Sequence, residues 1–126
     1  MPHILIVEDD LEFRKMLVAA LVQEGHTVEE AGDGKAAGRW LSTHVFDLVL
    51  TDIHMPETDG LEMIMKLHDA RNPTPIIAMT GGHVQSDLYL KVAKSLGARR
   101  VMEKPFKLVE LSQNIRDVLA EAKAAK

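Results

Sequence analysis

Residues 4–10 read Ile-Leu-Ile-Val-Glu-Asp-Asp, an aliphatic run that ends in three consecutive acids. Adjacent aliphatic residues are typical of a β-strand that is covered on both faces, as strands in parallel sheets are. The acids would lie at the carboxyl end of this strand, where open α/β sheets bind their ligands. The segment therefore predicts a central strand with an acidic site at its end.

The same pattern recurs along the chain. Short candidate strands follow at 28–31, 48–50, 76–79 and 101–102, and segments with the helical spacing of apolar residues separate them. This alternation favours a parallel sheet with right-handed crossover helices. We predict an α/β fold: a doubly wound, five-stranded parallel sheet with strand order 2-1-3-4-5 and five helices, as in flavodoxin. The second strand contains adjacent glutamates and the fifth is short, so we expect both to be peripheral.

Capping residues mark the ends of the predicted helices. Asp10, Asp33 and Asp59 each precede a helical segment and can accept hydrogen bonds from its first free amides. Gly25 and Gly97 follow the first and fourth helical segments, and glycine adopts the left-handed conformation that ends many helices at little cost. These residues predict the helix ends to within a few positions.

Length and composition indicate one globular domain. The 126 residues are 46% hydrophobic and 27% charged, an ordinary balance for a single domain that spans residues 1–126. The longest apolar run, at 16–22, is too short to cross a bilayer, and the first residues do not form a secretory signal. With no cysteine and a net charge of −4, we expect a cytoplasmic protein that does not bind nucleic acid directly.

Four charged residues are expected to converge at the carboxyl edge of the sheet: Glu8 and Asp9 after the first strand, Asp52 after the third and Lys104 after the fifth. The first and third strands are neighbours in the predicted order, so their carboxylates would share one pocket. Like charges at close range resist joint ionisation, and a hard cation with oxygen ligands, such as Mg²⁺, relieves their repulsion. Lys104 would add a second positive charge. Helix capping is a sufficient explanation for Asp10 alone. A helix cap needs only one acid, so capping does not explain why several acids converge.

Several short motifs follow one another through the chain: residues 4–10 with Arg14, Asp52 with Met55-Pro56 and Asp59-Gly60, Thr80-Gly81, Gly97-Ala98, and Lys104-Pro105-Phe106. Each motif is weak evidence alone, but the ordered series over about a hundred residues is specific. In this series the chain resembles the receiver domains of two-component response regulators, which are often called CheY-like. The resemblance covers nearly the whole chain and implies signalling by phosphoryl transfer.

The resemblance implies a phosphoacceptor and a Mg²⁺ site. Asp52 matches the phosphorylated aspartate of the family, Asp9 matches its direct metal ligand, and Glu8 matches an acidic partner that acts through water. The backbone carbonyl of His54 would complete the metal site. A carboxylate can attack a phosphoryl group when metal and ammonium charges neutralise the transferring oxygens, so the chemistry of these residues agrees with the resemblance.

Two further positions match the family and one departs from it. Lys104 matches the lysine that follows the fifth strand, and Thr80 matches a switch hydroxyl that would turn to meet a phosphoryl oxygen. Val101 stands where family members often carry Tyr or Phe. Valine has no comparable side-chain rotation, so this position lacks the ring that usually couples the switch hydroxyl to the surface in the family.

We expect a stand-alone receiver, a signalling phosphoacceptor rather than an enzyme. Its partners would be a histidine kinase or histidine phosphotransfer protein and a downstream protein target, and it would be a monomer or weak dimer that does not insert into membranes. The alternatives are a phosphorelay intermediate and a phosphorylation-independent scaffold. A phosphatase similar to haloacid dehalogenases is disfavoured. Those enzymes place a second Asp two residues after the nucleophile on the first strand, whereas Glu8, Asp9 and Asp10 are adjacent.

Overall fold

The computed structural model describes residues 2–53, 60–81 and 86–124. Strands and helices alternate through these ranges: β1 (His3–Val7), α1 (Leu11–Gln23), β2 (Thr27–Ala31), α2 (Gly34–Thr43), β3 (Leu48–Asp52), α3 (Gly60–Asp69), β4 (Ile76–Thr80), α4 (Ser86–Ser95), β5 (Arg100–Glu103) and α5 (Leu108–Ala124). Among the helices of these described ranges, none is both long enough and apolar enough to cross a membrane.

The strands form one parallel sheet in the order β2-β1-β3-β4-β5, which confirms the predicted fold. Every residue of β3 and β4 is buried, whereas only Ala31 is buried in β2 and only Met102 in β5. The central strands are therefore covered on both faces, and the peripheral strands are partly exposed, as their sequences predict.

Alternating side chains of the central strands build one apolar layer on each face of the sheet. Ile6 of β1 packs with Leu17 of α1 and Ile115 of α5 in the first layer. The next residue, Val7, packs in the second layer, which includes Ile64 of α3 together with residues of α2 and α4. The helices thus sandwich the sheet, and the ends of its strands lie at the edge between the two helical layers.

All five strands are longer than the predicted runs, and in two of them the extension holds a candidate functional residue. β3 continues to Asp52, which pairs with Met79, and β4 continues to Thr80, which pairs with Glu103. Asp52 and Thr80 are polar but buried, so the apolar pattern ends before the hydrogen-bonded ladder does. The sheet itself therefore holds both of these candidate functional residues.

The predicted caps of α1 and α2 are confirmed. Asp10 Oδ1 accepts a hydrogen bond from the Phe13 amide at 3.1 Å, and Asp33 Oδ1 accepts one from the Ala36 amide at 2.8 Å. Asp59 lies outside the described residues, so its capping of the third helix stays a prediction.

Helices α1, α3 and α4 end in the same way, with one residue in the left-handed conformation. Gly25 after α1 (φ 94°) and Gly97 after α4 (φ 105°) confirm the predicted helix ends. After α3 the corresponding residue is Arg71 (φ 54°), whose amide and the following amide donate to carbonyls of the last turn at 3.0 and 2.9 Å. A side chain is disfavoured in this conformation, so Arg71 carries a strain that glycine avoids.

We expect Arg71→Gly to raise the free energy of unfolding by about 1 kcal/mol. A Cβ in the left-handed region costs roughly 1–2 kcal/mol, and the greater freedom of glycine in the unfolded chain offsets part of that gain. Urea denaturation measures the change. Gly97→Ala is the matched control at an equivalent helix end, where an added Cβ would meet nothing closer than 3.9 Å. This control should destabilise by a similar amount, and a loss of stability in Arg71→Gly would contradict the explanation.

Candidate functional site

The carboxyl ends of three strands bring the predicted charged residues together. β1 and β3 are hydrogen-bonded neighbours, so Glu8, which follows β1, lies beside Asp52, the last residue of β3. Lys104 follows β5 directly, and its amide donates to the Thr80 carbonyl at 2.7 Å. The peptide bond between Lys104 and Pro105 is cis. The strand register therefore places an ammonium group opposite two carboxylates.

Three carboxylates form the pocket. One oxygen each of Glu8, Asp9 and Asp52 lies within 4.8 Å of the others. Glu8 is 0% exposed and Asp52 is 5% exposed, whereas Asp9 is exposed. Two charges are thus withdrawn from water while the third faces it, so an incoming ion can reach the pocket from the side of Asp9.

One ammonium group compensates part of this negative charge. Lys104 Nζ donates to Glu8 Oε1 at 2.5 Å and to Asp52 Oδ2 at 3.0 Å. A single positive charge among three carboxylates still leaves the pocket negative. Mg²⁺ prefers oxygen ligands and is commonly held by one or two carboxylates, with water or phosphate oxygens as its other ligands. The donor set and the charge of this pocket therefore fit Mg²⁺.

The pocket shifts the pKa values of Glu8 and Lys104, which form its shortest ion pair. Burial raises the pKa of Glu8 from 4.5 to about 7, and the charge of Asp52 adds to this effect, whereas hydrogen bonds from Lys104 and the Asp10 amide oppose it. Burial alone would lower the pKa of Lys104, but its hydrogen bonds and charge interactions with Glu8 and Asp52 outweigh burial and raise it above 10.5. Lys104 is therefore charged at neutral pH, while Glu8 is only partly ionised without a metal.

Arg14 of α1 fixes the main chain at the end of β1. Its Nη1 donates to the Glu8 carbonyl at 2.7 Å, and its Nε donates to Glu30 Oε1 at 3.0 Å. Glu8 Oε2 also accepts a hydrogen bond from the Asp10 amide at 3.1 Å. The sequence places Arg14 in a motif without indicating this contact, because the contact depends on the turn between β1 and α1.

Thr80 supplies a hydroxyl at the end of the strand next to β3. It is fully buried, and its Oγ1 has no hydrogen-bond partner within residues 2–53, 60–81 and 86–124. An unpaired buried hydroxyl is costly, so an oxygen-rich ligand that reached Thr80 would gain a strong interaction.

The predicted ligand from the loop after β3 is not tested. His54, whose backbone carbonyl the sequence predicts as a metal ligand, lies outside the described residues. Its role stays a prediction, and the described part of the pocket consists of Glu8, Asp9, Asp52, Thr80 and Lys104.

Comparison with known sequences finds one family over most of the chain. A family model described as the response regulator receiver domain matches residues 4–116. The transcriptional regulatory protein TctD of Salmonella typhimurium (strain LT2) is 34% identical over 117 residues, which are 93% of this chain and 51% of TctD. The response regulator ArlR of Staphylococcus aureus (strain USA300) is 36% identical over 120 residues, which are 94% of this chain and 53% of ArlR. The chain thus spans about half the length of these curated relatives.

Solved structures agree with the sequence comparison. A CheY-like response regulator receiver domain protein from Methanospirillum hungatei JF-1 is similar with a TM-score of 0.91 and 27% identity, and the match covers 100% of this chain and 99% of that one. The response regulator protein TrrA from Thermotoga maritima, solved in complex with Mg(2+)-BeF, is similar with a TM-score of 0.81 and 29% identity, covering 94% of this chain and 99% of TrrA.

Proposed function

The chain belongs to the response regulator receiver domain family, and from that premise we propose that it is a cytoplasmic signalling protein that accepts a phosphoryl group on Asp52 with the help of Mg²⁺. The donor is the phosphohistidine of a histidine kinase or of a histidine phosphotransfer protein, and phosphorylation changes the affinity for a downstream protein target. The observation that carries the proposal is the position of Lys104 Nζ, 2.5 Å from Glu8 and 3.0 Å from Asp52 in an acidic pocket.

The proposed transfer uses a carboxylate oxygen of Asp52 as the nucleophile. A bond forms between this oxygen and phosphorus as the bond from phosphorus to the donor imidazole nitrogen breaks, and the imidazole keeps the electron pair and takes up a proton from solvent. Lys104 is close enough to Asp52 to donate to an oxygen of the transferring group. Because β3 holds Asp52 and Lys104 directly follows β5, the two groups are prepositioned for this step.

Three of the residues in the pocket would hold the metal. We propose that Asp9 and Asp52 ligate Mg²⁺ directly and that Glu8 acts through a water molecule, with the His54 carbonyl as a further ligand. The exposure of Asp9 supports its direct contact with the ion, since the ion enters from solvent. When bound, Mg²⁺ supplies positive charge to the phosphoryl oxygens.

Thr80 would sense the new phosphoryl group. Its hydroxyl, which has no hydrogen-bond partner among the described residues, can donate to a phosphoryl oxygen, which would draw the end of β4 toward Asp52. Val101 of β5 is half-buried against the apolar layer and has no ring that could rotate into space released by Thr80. We therefore propose that the response to phosphorylation passes through the main chain after β4 rather than through a side-chain rotation at Val101.

The absence of an aromatic residue at position 101 also favours a second candidate, a phosphorelay intermediate. Such a protein needs Asp52 to receive and return a phosphoryl group but does not need a signal to cross β5. The curated relatives TctD and ArlR are about twice as long as the matched region, so the stand-alone role is likewise a proposal about this chain. Transfer of the label from Asp52 to a histidine phosphotransfer protein would distinguish the relay.

Incubation with acetyl phosphate and Mg²⁺ is expected to add one phosphoryl group to each chain, which intact-mass spectrometry measures. EDTA is expected to prevent the labelling, because the pocket without a metal is negative and repels the donor. The absence of labelling with donor and Mg²⁺ would contradict the proposal and favour the phosphorylation-independent scaffold. Catalytic turnover of phosphate monoesters would instead favour the phosphatase.

A further inference from the structure

The ammonium group of Lys104 has an aromatic partner besides its two carboxylates. Nζ lies 4.5 Å from the centroid of the Phe13 ring. This distance is within the range of a cation–π interaction, in which the negative face of the ring attracts the cation. An ammonium group has three hydrogens, and Glu8 Oε1 and Asp52 Oδ2 accept two of them. The ring of Phe13 therefore supplies a third contact to the same nitrogen.

The Phe13 ring is held from two directions. Phe13 lies in the first turn of α1, where its amide donates to the capping carboxylate of Asp10 at 3.1 Å. Its ring meets the ring of Phe106 edge to face, with 5.8 Å between the centroids. Phe106 comes two residues after Lys104, so the cap of α1 and the segment after β5 fix the ring beside the ammonium group.

Lys104 needs such support more than its two carboxylate partners, Glu8 and Asp52, do. Its ammonium group is strongly hydrated and sits on a flexible stem of four carbons. The side chain of Lys104 is 21% exposed, compared with 1% for Glu8 and 7% for Asp52, so it is the member of this triad that solvent reaches best. A ring against Nζ takes the place of water there and limits the rotamers of the stem.

We propose that Phe13 is a positioning residue for phosphoryl transfer, whose ring holds the Lys104 ammonium group between Glu8 and Asp52. The inference rests on the proposed function, because Lys104 matters for catalysis only if Asp52 accepts a phosphoryl group. Phe13 does not touch the reacting atoms in this scheme. It acts by keeping the cation where the phosphoryl oxygens arrive. Lys104 therefore loses less conformational freedom when the transition state forms.

Nuclear magnetic resonance tests the contact without any phosphorylation. Protons above an aromatic face are shifted upfield, so the ε-methylene protons of Lys104 should resonate upfield of those of the exposed Lys107. The upfield shift should persist in Phe13→Tyr, which keeps a ring, and disappear in Phe13→Leu, which keeps only apolar volume. An unshifted Lys104 in the parent protein, or the same shift in Phe13→Leu, would overturn the proposal.

Labelling kinetics test the effect on transfer. The rate with acetyl phosphate and Mg²⁺ should fall roughly two- to fivefold in Phe13→Leu, which corresponds to the strength of a partly exposed cation–π contact, and Phe13→Tyr should restore it. Phe106→Leu is the matched control, because it removes the neighbouring ring but leaves the ring beside Nζ, and its effect should be smaller. Equal rates in Phe13→Leu and Phe13→Tyr would overturn the inference. A parent protein that takes no label contradicts the proposed function instead, and the resonance of Lys104 still decides whether the contact exists.

Discussion

Asp52→Asn is expected to reduce labelling by acetyl phosphate to background. The amide of asparagine is nearly isosteric with the carboxylate but lacks the anionic oxygen that attacks phosphorus. Asp52 is 5% exposed and is held by β3, so the substitution changes the charge of the pocket with little change in its shape. The loss should therefore reflect missing chemistry rather than unfolding, and circular dichroism of the variant should match that of the parent.

The same variant is expected to bind Mg²⁺ much more weakly. One of the three clustered carboxylates is neutralised, so the pocket loses a ligand and part of the negative charge that attracts the ion. Binding to the folded state raises the unfolding temperature in proportion to the logarithm of ligand concentration, so Mg²⁺ should stabilise the parent more than the variant. Asp69→Asn, which neutralises an exposed carboxylate at the end of α3, is the matched control and should keep both labelling and the response to Mg²⁺. Undiminished labelling of Asp52→Asn would place the phosphoacceptor elsewhere.

The sequence predicts the fold and the convergence of the acids for one physical reason. Central strands of a parallel sheet are apolar on both faces, so a polar residue at the end of such a run marks the strand end. Glu8 directly follows such a run and Asp52 follows another by two positions, and the strand order makes them neighbours. Two buried polar residues at this edge of the sheet, Asp52 and Thr80, belong to the strands themselves. A pattern of apolar residues cannot reveal this, because both residues are polar.

Contacts made across elements are harder to predict. Phe13 matches the apolar spacing of α1, and that spacing indicates core packing, whereas its contact with Lys104 depends on how α1 sits against the segment after β5. Arg14 is likewise recognisable only as part of a motif, because its bond to the Glu8 carbonyl follows from the turn after β1. The end of α3 at Arg71 has no sequence signal at all, since glycine usually occupies that conformation.

Lys104→Met is expected to destabilise the metal-free protein by about 3–5 kcal/mol at slightly alkaline pH. Methionine keeps the apolar stem but removes the cation that lies between two buried carboxylates, and breaking a buried ion pair by removing one partner leaves an uncompensated charge. Labelling by acetyl phosphate should also fall sharply, because no ammonium group remains to neutralise the phosphoryl oxygens. Lys107→Met, which changes an exposed lysine of the same segment, is the matched control and should change stability by less than roughly 0.5 kcal/mol.

The destabilisation should depend on pH in a direction set by Glu8. The pKa of Glu8 is raised to about 7 in the folded protein from 4.5, so protonation of Glu8 favours folding at low pH, and this contribution is lost as the pH rises through 7. Lys104 opposes that rise, and its removal should push the pKa of Glu8 higher still. At about pH 5 Glu8 is protonated with or without Lys104. The loss of stability in Lys104→Met should therefore be smallest there and largest at about pH 8. Urea denaturation at both pH values measures the difference. An equal cost at the two values would mean that the ion pair with Glu8 does not govern the stability of the pocket.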